Sequence, residues 1–363
     1  MIDETEKTIP TDQTLVGVNQ SSFLFMDEVP TQKLRLKVGI VGITGIVGKT
    51  LLEVLKERNF PVGELHTFNS FQSNEHWLET PFGLAPVMHL NPRKPIDLDC
   101  VFMAAGTEAA KSWGLRFARR GAIVIDKSSY FRNKRYAPLI VPEVNLNDLM
   151  PNKGVISNPN CATIPVVQAL KPLHDIYKLR DFTAVTFQSV SGAGRNGVDA
   201  LVREMENHEE SSSTFSHRIA NNVIPYIGGG DGVMSGEERK MIFETRRILN
   251  LPRLPIRVTS VRVPTIVGHA IAIHASFSKS VSVSEVREIL SSAPGIKVLD
   301  DPPNGDYPTP IDVEGKDETY VGRIRRDRGQ QGLALWVVVD NLRKGAATNA
   351  VQIAEAMLEN RSA

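Results

Sequence analysis

The chain has 363 residues, of which 41% are hydrophobic and 23% charged, and its formal net charge at pH 7 is +1. This length and composition predict two globular domains, each with its own core. Acidic and basic residues are interspersed and no apolar run approaches the roughly 18 residues of a membrane span, so neither nucleic acid nor a membrane is an expected partner. The polar start MIDETEKTIPTDQTLVGVNQ is unlike a signal or transit peptide, which predicts a cytoplasmic location.

The first part of the chain has the pattern of alternating strands and helices. Residues 1–34 lack periodicity, and we interpret them as an N-terminal extension, open to disorder and without an assigned function. The stretch LRLKVGIVGITGIVGKTLLEVLKERNFP then predicts a strand, a glycine turn and a helix that ends before Pro61. Further on, DLDCVFMAAG, EAAKSWGLRFARRG and AIVIDKSS predict strand, helix and strand. The segment to about residue 145 is therefore predicted to form a parallel α/β sheet.

From about residue 160, the pattern of apolar and polar residues changes. FTAVTFQSV, RVTSVRVPTI and HAIAIHASFS alternate apolar and polar residues, which is typical of half-buried antiparallel strands. Polar loops separate them, notably over residues 205–238, and GAATNAVQIAEAMLEN predicts a closing helix. In a two-domain protein this helix could return to pack on the first sheet.

The turn GITGIVG places Gly42, Gly45 and Gly48 between the first strand and the first helix. Glycines there let the backbone approach a pyrophosphate at the helix N-terminus, although tight packing alone could also explain them. The following strand ends in LHTFNSFQS, without the acidic residue that usually holds the ribose of NAD. The turn therefore predicts a dinucleotide site and disfavours the common NAD arrangement, without establishing NADP.

The two cysteines differ in their surroundings, and their low number suits a reducing compartment. Cys100 lies in an apolar run and is interpreted as a buried strand thiol. Cys161 lies in SNPNCATIP, where Asn160 or Thr163 could cap a helix that has Pro165 in its first turn. Either cap leaves the sulfur near a helix N-terminus, where amides lower a thiol's pKa and stabilise an oxyanion. From this stretch alone, a nucleophile and a buried structural cysteine remain equally open.

A nucleophilic thiol needs a base, and His269 in RVPTIVGHAIAIH has the best context among the histidines because a glycine-marked junction precedes it. His274 is expected to be packed or solvated. Arg262 offers a planar fork for a carboxylate. Taken singly, His269 is more often expected as a structural histidine, and Arg262 as a surface charge.

Eight motifs together resemble the aspartate-β-semialdehyde dehydrogenase family over about residues 36–360. They are GITGIVG, SSYFRN, SNPNCATIP, FQSVSGAG, GEERKMIFETRRIL, VRVPTIVGHA, YVGRIRRD and LWVVVDNLRKGAATNAVQIAE. The resemblance implies an α/β protein with a Rossmann-like parallel-sheet cofactor domain (35–159 plus 341–363) and an α+β catalytic and dimerisation domain with a mixed or antiparallel sheet (160–340). It also implies an NADP-dependent homodimer or homotetramer that links aspartyl β-phosphate to aspartate β-semialdehyde in lysine, methionine, threonine and isoleucine biosynthesis.

The resemblance also implies a role for individual residues. Cys161 would be the thioester nucleophile, His269 the acid/base, and Gln188 would orient the thioacyl group. The substrate groups would be held by Arg262 at the carboxylate, Glu237 at the ammonium, and Lys240 with Arg132 at the phosphate. The cofactor would be held by Gly42, Thr44, Gly45, Ile46, Val47, Ser70, Gln72, Ser73, Ser191, Gly192 and Asn341; no metal is implied.

Simpler interpretations stay open for several of these residues. Glu237 and Lys240 could form a charge cluster exposed to solvent, and Arg132 could be a charge on a turn. Gln188 could be a strand residue whose side-chain amide is hydrogen-bonded without any catalytic role. The chain also departs from the family's second cofactor loop, S-x-R-S, because it reads SFQS with Gln72 at the arginine position. A neutral amide loses the charge-assisted bond to the 2′-phosphate of NADP, so NAD remains possible.

Two alternatives are carried forward. N-acetyl-γ-glutamyl-phosphate reductases perform the same chemistry on an acylated substrate, but they need no group for a free ammonium, which the GEERKM motif offers. A non-catalytic homologue is disfavoured by the joint presence of Cys161, Gln188, Arg262 and His269.

Overall fold

Two β-sheets organise the part of the chain that the computed structural model describes, namely residues 35–69, 76–91, 93, 96–149, 154–206 and 214–362. The predicted N-terminal extension and three predicted cofactor residues, Ser70, Gln72 and Ser73, lie outside these ranges. Within them, no helix is long and apolar enough to cross a membrane.

The first sheet has seven strands among the described residues, in the order β3-β4-β2-β1-β5-β6-β7. The strands are β1 Leu36–Val41, β2 Val62–Asn69, β3 His76–Thr80, β4 Gly83–His89, β5 Cys100–Met103, β6 Ile123–Asp126 and β7 Val155–Ser157. The helices of this part are α1 Ile46–Glu57, α2 Thr107–Arg119 and α3 Pro142–Asn145. The predicted parallel α/β sheet is confirmed for β1, β2, β4, β5, β6 and β7. Cys100 is fully buried on β5, as expected.

The edge of this sheet differs from the prediction because β3 and β4 pair antiparallel. Only a short turn separates Thr80 from Gly83, and such a turn can join only antiparallel strands. Gly83 has a φ of +103°, which a glycine adopts without strain.

The second sheet has six strands among the described residues, in the order β11-β12-β13-β10-β8-β9. They are β8 Leu179–Gln188, β9 Ile256–Arg262, β10 His269–Phe277, β11 Ile296–Val298, β12 Thr319–Arg326 and β13 Gly332–Val339. Helices α4 Thr163–Tyr177, α5 Arg195–Glu206, α6 Gly236–Ile248, α7 Val283–Ser292 and α8 Pro310–Val313 accompany them. The antiparallel expectation holds for β8 with β10 but is wrong for β8 with β9, which run parallel. A long connection that contains α5 and α6 joins these two strands, and such a crossover permits parallel pairing.

The last helix, α9 Thr348–Ser362, packs on the first sheet. Its Val351, Ile353 and Ala354 are fully buried in one cluster with Val38 and Ile40 of β1. Burying side chains of this size contributes roughly 1.5–3 kcal/mol each. The chain thus returns to the first sheet after completing the second, which brings the end of β13 beside the glycine turn.

Candidate active site

Loops from both sheets line one cleft of about 290 Å³. Because the carboxyl ends of the parallel strands meet at the same edge of a sheet, the segments that follow them converge there. Ten residues of the cleft wall were predicted as site residues: Gly45, Ile46, Val47, Arg132, Cys161, Ser191, Gly192, Glu237, Lys240 and Asn341.

The glycine turn is built for close approach of a ligand. Gly42 has a φ of +92°, and an added Cβ would come within 2.8 Å of the Ala104 backbone. A Cβ at Gly48 would collide with the carbonyl oxygen of Gly42. Helix α1 begins after Gly45 without a side-chain cap, so its first-turn amides are left for an anion. Thr44 donates from its hydroxyl to Asn69 Oδ1 at 2.8 Å, which holds the turn against β2. The turn therefore fits the diphosphate of a dinucleotide.

Cys161 lies in the turn that leads into α4. The helix begins at Thr163 and has Pro165 in its first turn, as predicted, but neither predicted residue caps it. Thr163 is already helical, and Asn160 Oδ1 accepts a hydrogen bond at 2.9 Å from the backbone of Ala162, the N-cap residue. The side chain of Asn160 is thus committed to the turn that holds the thiol.

Cys161 and His269 contact each other although they are 108 residues apart in sequence, with 3.2 Å between Sγ and Nε2. The backbone N–H of Ser189 donates to His269 Nδ1 at 3.1 Å. A neutral imidazole whose Nδ1 accepts must carry its proton on Nε2. Burial and the charge of Arg262 lower the pKa of His269 to about 3, so the ring is neutral at pH 7. His269 therefore presents a hydrogen-bond donor to the sulfur.

The thiol of Cys161 is less acidic than the sequence predicts. Burial, and next the negative charge of Glu237, raise its pKa to about 11, although Arg132, Lys127 and Arg262 act in the opposite direction. The expected lowering near a helix N-terminus is therefore wrong for this protein without ligands. Desolvation opposes formation of the thiolate more strongly than the surrounding cations favour it.

Glu237, near the start of α6, connects several predicted residues. Its carboxylate accepts hydrogen bonds from Lys240 Nζ at 2.6 Å, Asn160 Nδ2 at 2.9 Å and Gln188 Nε2 at 3.3 Å. Burial alone raises the pKa of Glu237, but these partners outweigh it and lower that pKa to about 2. The carboxylate therefore stays ionised, and Gln188 is held at the end of β8.

Two arginines, Arg132 and Arg262, lie close enough to Cys161 for their charges to act on it. Arg132 pairs with Glu244 at 2.9 Å, and Arg262 donates to the Ser189 carbonyl at 2.6 Å. The Nε atoms of both arginines are buried and have no hydrogen-bond partner within the described residues. Each guanidinium therefore keeps a donor that an anionic ligand group could use.

A polar network links Ser191 and Asn341, two residues predicted to hold the cofactor. Asn341 Nδ2 donates to Ser191 Oγ at 2.9 Å, and its Oδ1 accepts from Ser189 Oγ at 3.0 Å and from the Gly268 N–H at 2.9 Å. At Gly192, an added Cβ would lie 2.9 Å from Arg262 Nη1. This network joins the end of β13 to the loop after β8.

Three residues of the site were missed in the sequence. Glu244 lies on the same face of α6 as Glu237 and Lys240. Its carboxylate also accepts a hydrogen bond from the Asn160 N–H at 2.6 Å. Ser189 is part of the FQSVSGAG motif, but only its neighbours were singled out. Lys127 lines the cleft directly after β6, where a cation following a buried parallel strand was a usable signal. Among the described residues, no group of three His, Cys, Asp or Glu side chains could hold a metal ion.

Comparisons with known proteins agree with this architecture. The sequence profile of the semialdehyde dehydrogenase NAD binding domain matches residues 37–150, and that of the semialdehyde dehydrogenase dimerisation domain matches residues 170–344. An aspartate-semialdehyde dehydrogenase of Aquifex aeolicus is 43% identical over 89% of this chain and 98% of its own.

Solved structures give the same relationship. The crystal structure of aspartate semialdehyde dehydrogenase II of Vibrio cholerae, complexed with ASA, superimposes with a TM-score of 0.85 at 38% identity over 90% of this chain and 99% of its own. The enzyme of Candida albicans, solved with NADP, reaches a TM-score of 0.68 at 25% identity over 89% of this chain and 98% of its own. The chain thus combines a nicotinamide-cofactor domain with a dimerisation domain, as an oxidoreductase, and it belongs to the aspartate-semialdehyde dehydrogenase family.

Proposed function

We propose that this chain reduces aspartyl β-phosphate to aspartate β-semialdehyde and phosphate with NADPH, through a thioester on Cys161. The observation that carries the proposal is the contact of Cys161 Sγ with His269 Nε2 at 3.2 Å, in a cleft that the glycine turn also lines. A thioester accepts hydride far more readily than a carboxylate, and sulfur remains a good leaving group afterwards.

Each charged group of the substrate has a counterpart in the cleft or close to Cys161. The guanidinium of Arg262 suits the α-carboxylate, since its fork matches the planar geometry of that group. The ionised Glu237 suits the α-ammonium. Lys240 and Arg132 suit the phosphate, and both line the cleft beside Cys161. Gln188, held by Glu237, orients the thioacyl group.

The reaction follows from these groups. The Cys161 sulfur forms a bond to the acyl carbon as the bond from that carbon to the phosphate oxygen breaks, and the thiol proton passes to the departing phosphate. When bound, the nicotinamide cofactor supplies the hydride that reduces the thioester. His269 Nε2–H donates to the substrate oxygen as it gains negative charge, and to the sulfur as the thiolate leaves. Because the Ser189 N–H donates to Nδ1, the neutral ring starts as this donor, and we propose His269 as the acid/base of the reaction.

For the cofactor we propose NADP, held by Gly42, Thr44, Gly45, Ile46, Val47, Ser191, Gly192 and Asn341, with Ser70, Gln72 and Ser73 at the 2′-phosphate. The open amides of α1 support the diphosphate position. Initial rates with NADP and NAD at saturating phosphate and semialdehyde test the choice. A strong NADP preference is expected if neutral hydrogen bonds replace the family arginine, whereas parity or an NAD preference would contradict it.

We further propose a domain division into 35–159 plus 341–363 and 160–340, assembly as a homodimer or homotetramer, and a cytoplasmic role in lysine, methionine, threonine and isoleucine biosynthesis. The return of α9 to the first sheet supports the division. The dimerisation-domain match supports assembly. Sedimentation of the purified protein would distinguish these oligomers from a monomer.

The substrate is tested with two aldehydes. Purified protein, phosphate and NADP are mixed with aspartate β-semialdehyde or N-acetyl-γ-glutamate semialdehyde, and NADPH formation is followed. We expect activity with the first aldehyde, because only that aldehyde has a free ammonium group that the ionised Glu237 can bind. Activity only with the second would favour the reductase alternative, and activity with neither would favour a non-catalytic homologue.

A further inference from the structure

Lys127 is fixed by its backbone at the floor of the cleft. Its N–H donates to the Met103 carbonyl at 3.1 Å, and its own carbonyl accepts from Arg132 Nη2 at 2.6 Å. Asp126, the neighbouring carboxylate, is engaged instead by the N–H and hydroxyl of Ser128, at 3.0 and 2.8 Å. The position of Lys127 is thus set without any use of its ammonium group.

Two other cations that line the cleft are already paired. Arg132 binds Glu244 and Lys240 binds Glu237, each through an ion pair. Arg195 also lines the cleft, but its side chain is exposed. Within the described ranges, the Lys127 ammonium has no ion pair or hydrogen bond. Its donors are therefore left for a ligand.

Lys127 is half-buried, and the partial desolvation of its ammonium carries a cost that an anion would offset. Burial lowers the pKa of Lys127 to about 8, and among the charged neighbours Cys161 raises it whereas Arg132 lowers it further. A buried ammonium without a partner is unfavourable, and arrival of an anionic group compensates it.

We propose that the Lys127 ammonium binds the transferring phosphate group, as a third cation beside Arg132 and Lys240. This rests on the proposed function. We assign Lys127 to the phosphate because its carbonyl accepts a hydrogen bond from Arg132, which is itself proposed to bind the phosphate. Arg262, proposed to bind the carboxylate, donates instead to the Ser189 carbonyl. As the Cys161 sulfur bonds to the acyl carbon, the carbon–oxygen bond to phosphate breaks, its electron pair stays on that oxygen, and the phosphate takes up the proton of the Cys161 thiol. Lys127 donates a hydrogen bond to it, and no oxidation accompanies this step.

The first test uses steady-state kinetics with aspartate β-semialdehyde, inorganic phosphate and NADP. Lys127→Met should raise the KM for phosphate by about 10- to 100-fold, the range for loss of a charge-assisted hydrogen bond, and leave the KM for semialdehyde within about threefold. Lys127→Arg keeps the charge and should stay within about fivefold of the unchanged protein. Lys279→Met, on the exposed loop after β10, is the matched control and should change neither constant.

The second test measures phosphate binding without turnover. Inorganic phosphate should slow iodoacetamide alkylation of Cys161, followed by mass spectrometry of its peptide, and Lys127→Met should raise the protecting concentration at least about tenfold. The proposal is overturned if phosphate does not protect the unchanged protein, if Lys127→Met retains protection within twofold, or if Lys127→Arg is as defective as Lys127→Met. Absence of turnover in the unchanged protein would refute the proposed function, while the protection result would still decide the role of Lys127.

Discussion

Individual residues of the site divide into those that the sequence could indicate and those that it could not. Cys161 and His269 stand in recognisable motifs, but local patterns alone left both open to structural interpretations. Their contact joins a turn before α4 to the first residue of β10, so it depends on the pairing of whole strands. The pKa of Cys161 was predicted in the wrong direction because burial depends on residues distant in sequence.

The raised pKa of Cys161 makes its reactivity depend on pH. A thiol with a pKa of about 11 keeps its proton at pH 7, so only about one molecule in ten thousand carries the thiolate there. The iodoacetamide alkylation rate of the protein without ligands should therefore keep rising with pH beyond pH 9. A rate that levels off below pH 8 would show instead that a thiolate is already formed at neutral pH.

Glu237→Gln should have two opposite effects. Glu237 is, after burial, the next cause of the raised pKa of Cys161, so its neutralisation should speed alkylation at pH 7. The substrate ammonium loses its partner, which should raise the KM for semialdehyde about 10- to 100-fold. Kinetics and alkylation are measured on the same preparation, with Glu318→Gln as the control. An unchanged KM would remove Glu237 from the ammonium site.

At the scale of elements, strand and helix positions were predicted well where local patterns decide them. The direction of pairing was predicted less well: β3 pairs antiparallel with β4, and β9 pairs parallel with β8. Both differences arise from the connections, a short turn in one case and a helical crossover in the other. Alternating polarity indicates a half-buried strand but carries no information about its neighbour's direction.

Gly48→Ala tests the turn before α1 as a close-packed element. The new methyl group would collide with the Gly42 carbonyl, so the turn must open. We expect NADP affinity to fall at least about tenfold and the protein to lose about 1–3 kcal/mol of stability. Titration calorimetry and urea unfolding measure the two effects, with the exposed Glu53→Ala on the same helix as the control. Unchanged affinity would place the cofactor elsewhere.

At the scale of the whole molecule, the chain closes its first sheet with its last helix. The sequence suggested this return only as one option, because a helix pattern shows an apolar face without showing what covers it. Burial of Val351, Ile353 and Ala354 against β1 settles where α9 packs. The end of β13 then places Asn341 in the cleft, so that segments far apart in sequence complete one site.

Ile353→Ala tests this closure. The side chain is fully buried among residues of the first sheet, and its truncation leaves a cavity that should cost about 2–5 kcal/mol. Urea unfolding followed by circular dichroism measures the loss, and the exposed Glu359→Ala serves as the control. A loss below about 0.5 kcal/mol would show that α9 does not seal this core in solution.

The central claim is that Cys161 carries the substrate as a thioester. The most direct measurement mixes the protein with aspartate β-semialdehyde and NADP without phosphate, quenches in acid, and locates the adduct by peptide mass spectrometry. We predict one aspartyl group on the Cys161 peptide, its loss on addition of phosphate, and neither adduct nor turnover in Cys161→Ala. An adduct on another residue, or full turnover by Cys161→Ala, would contradict the account.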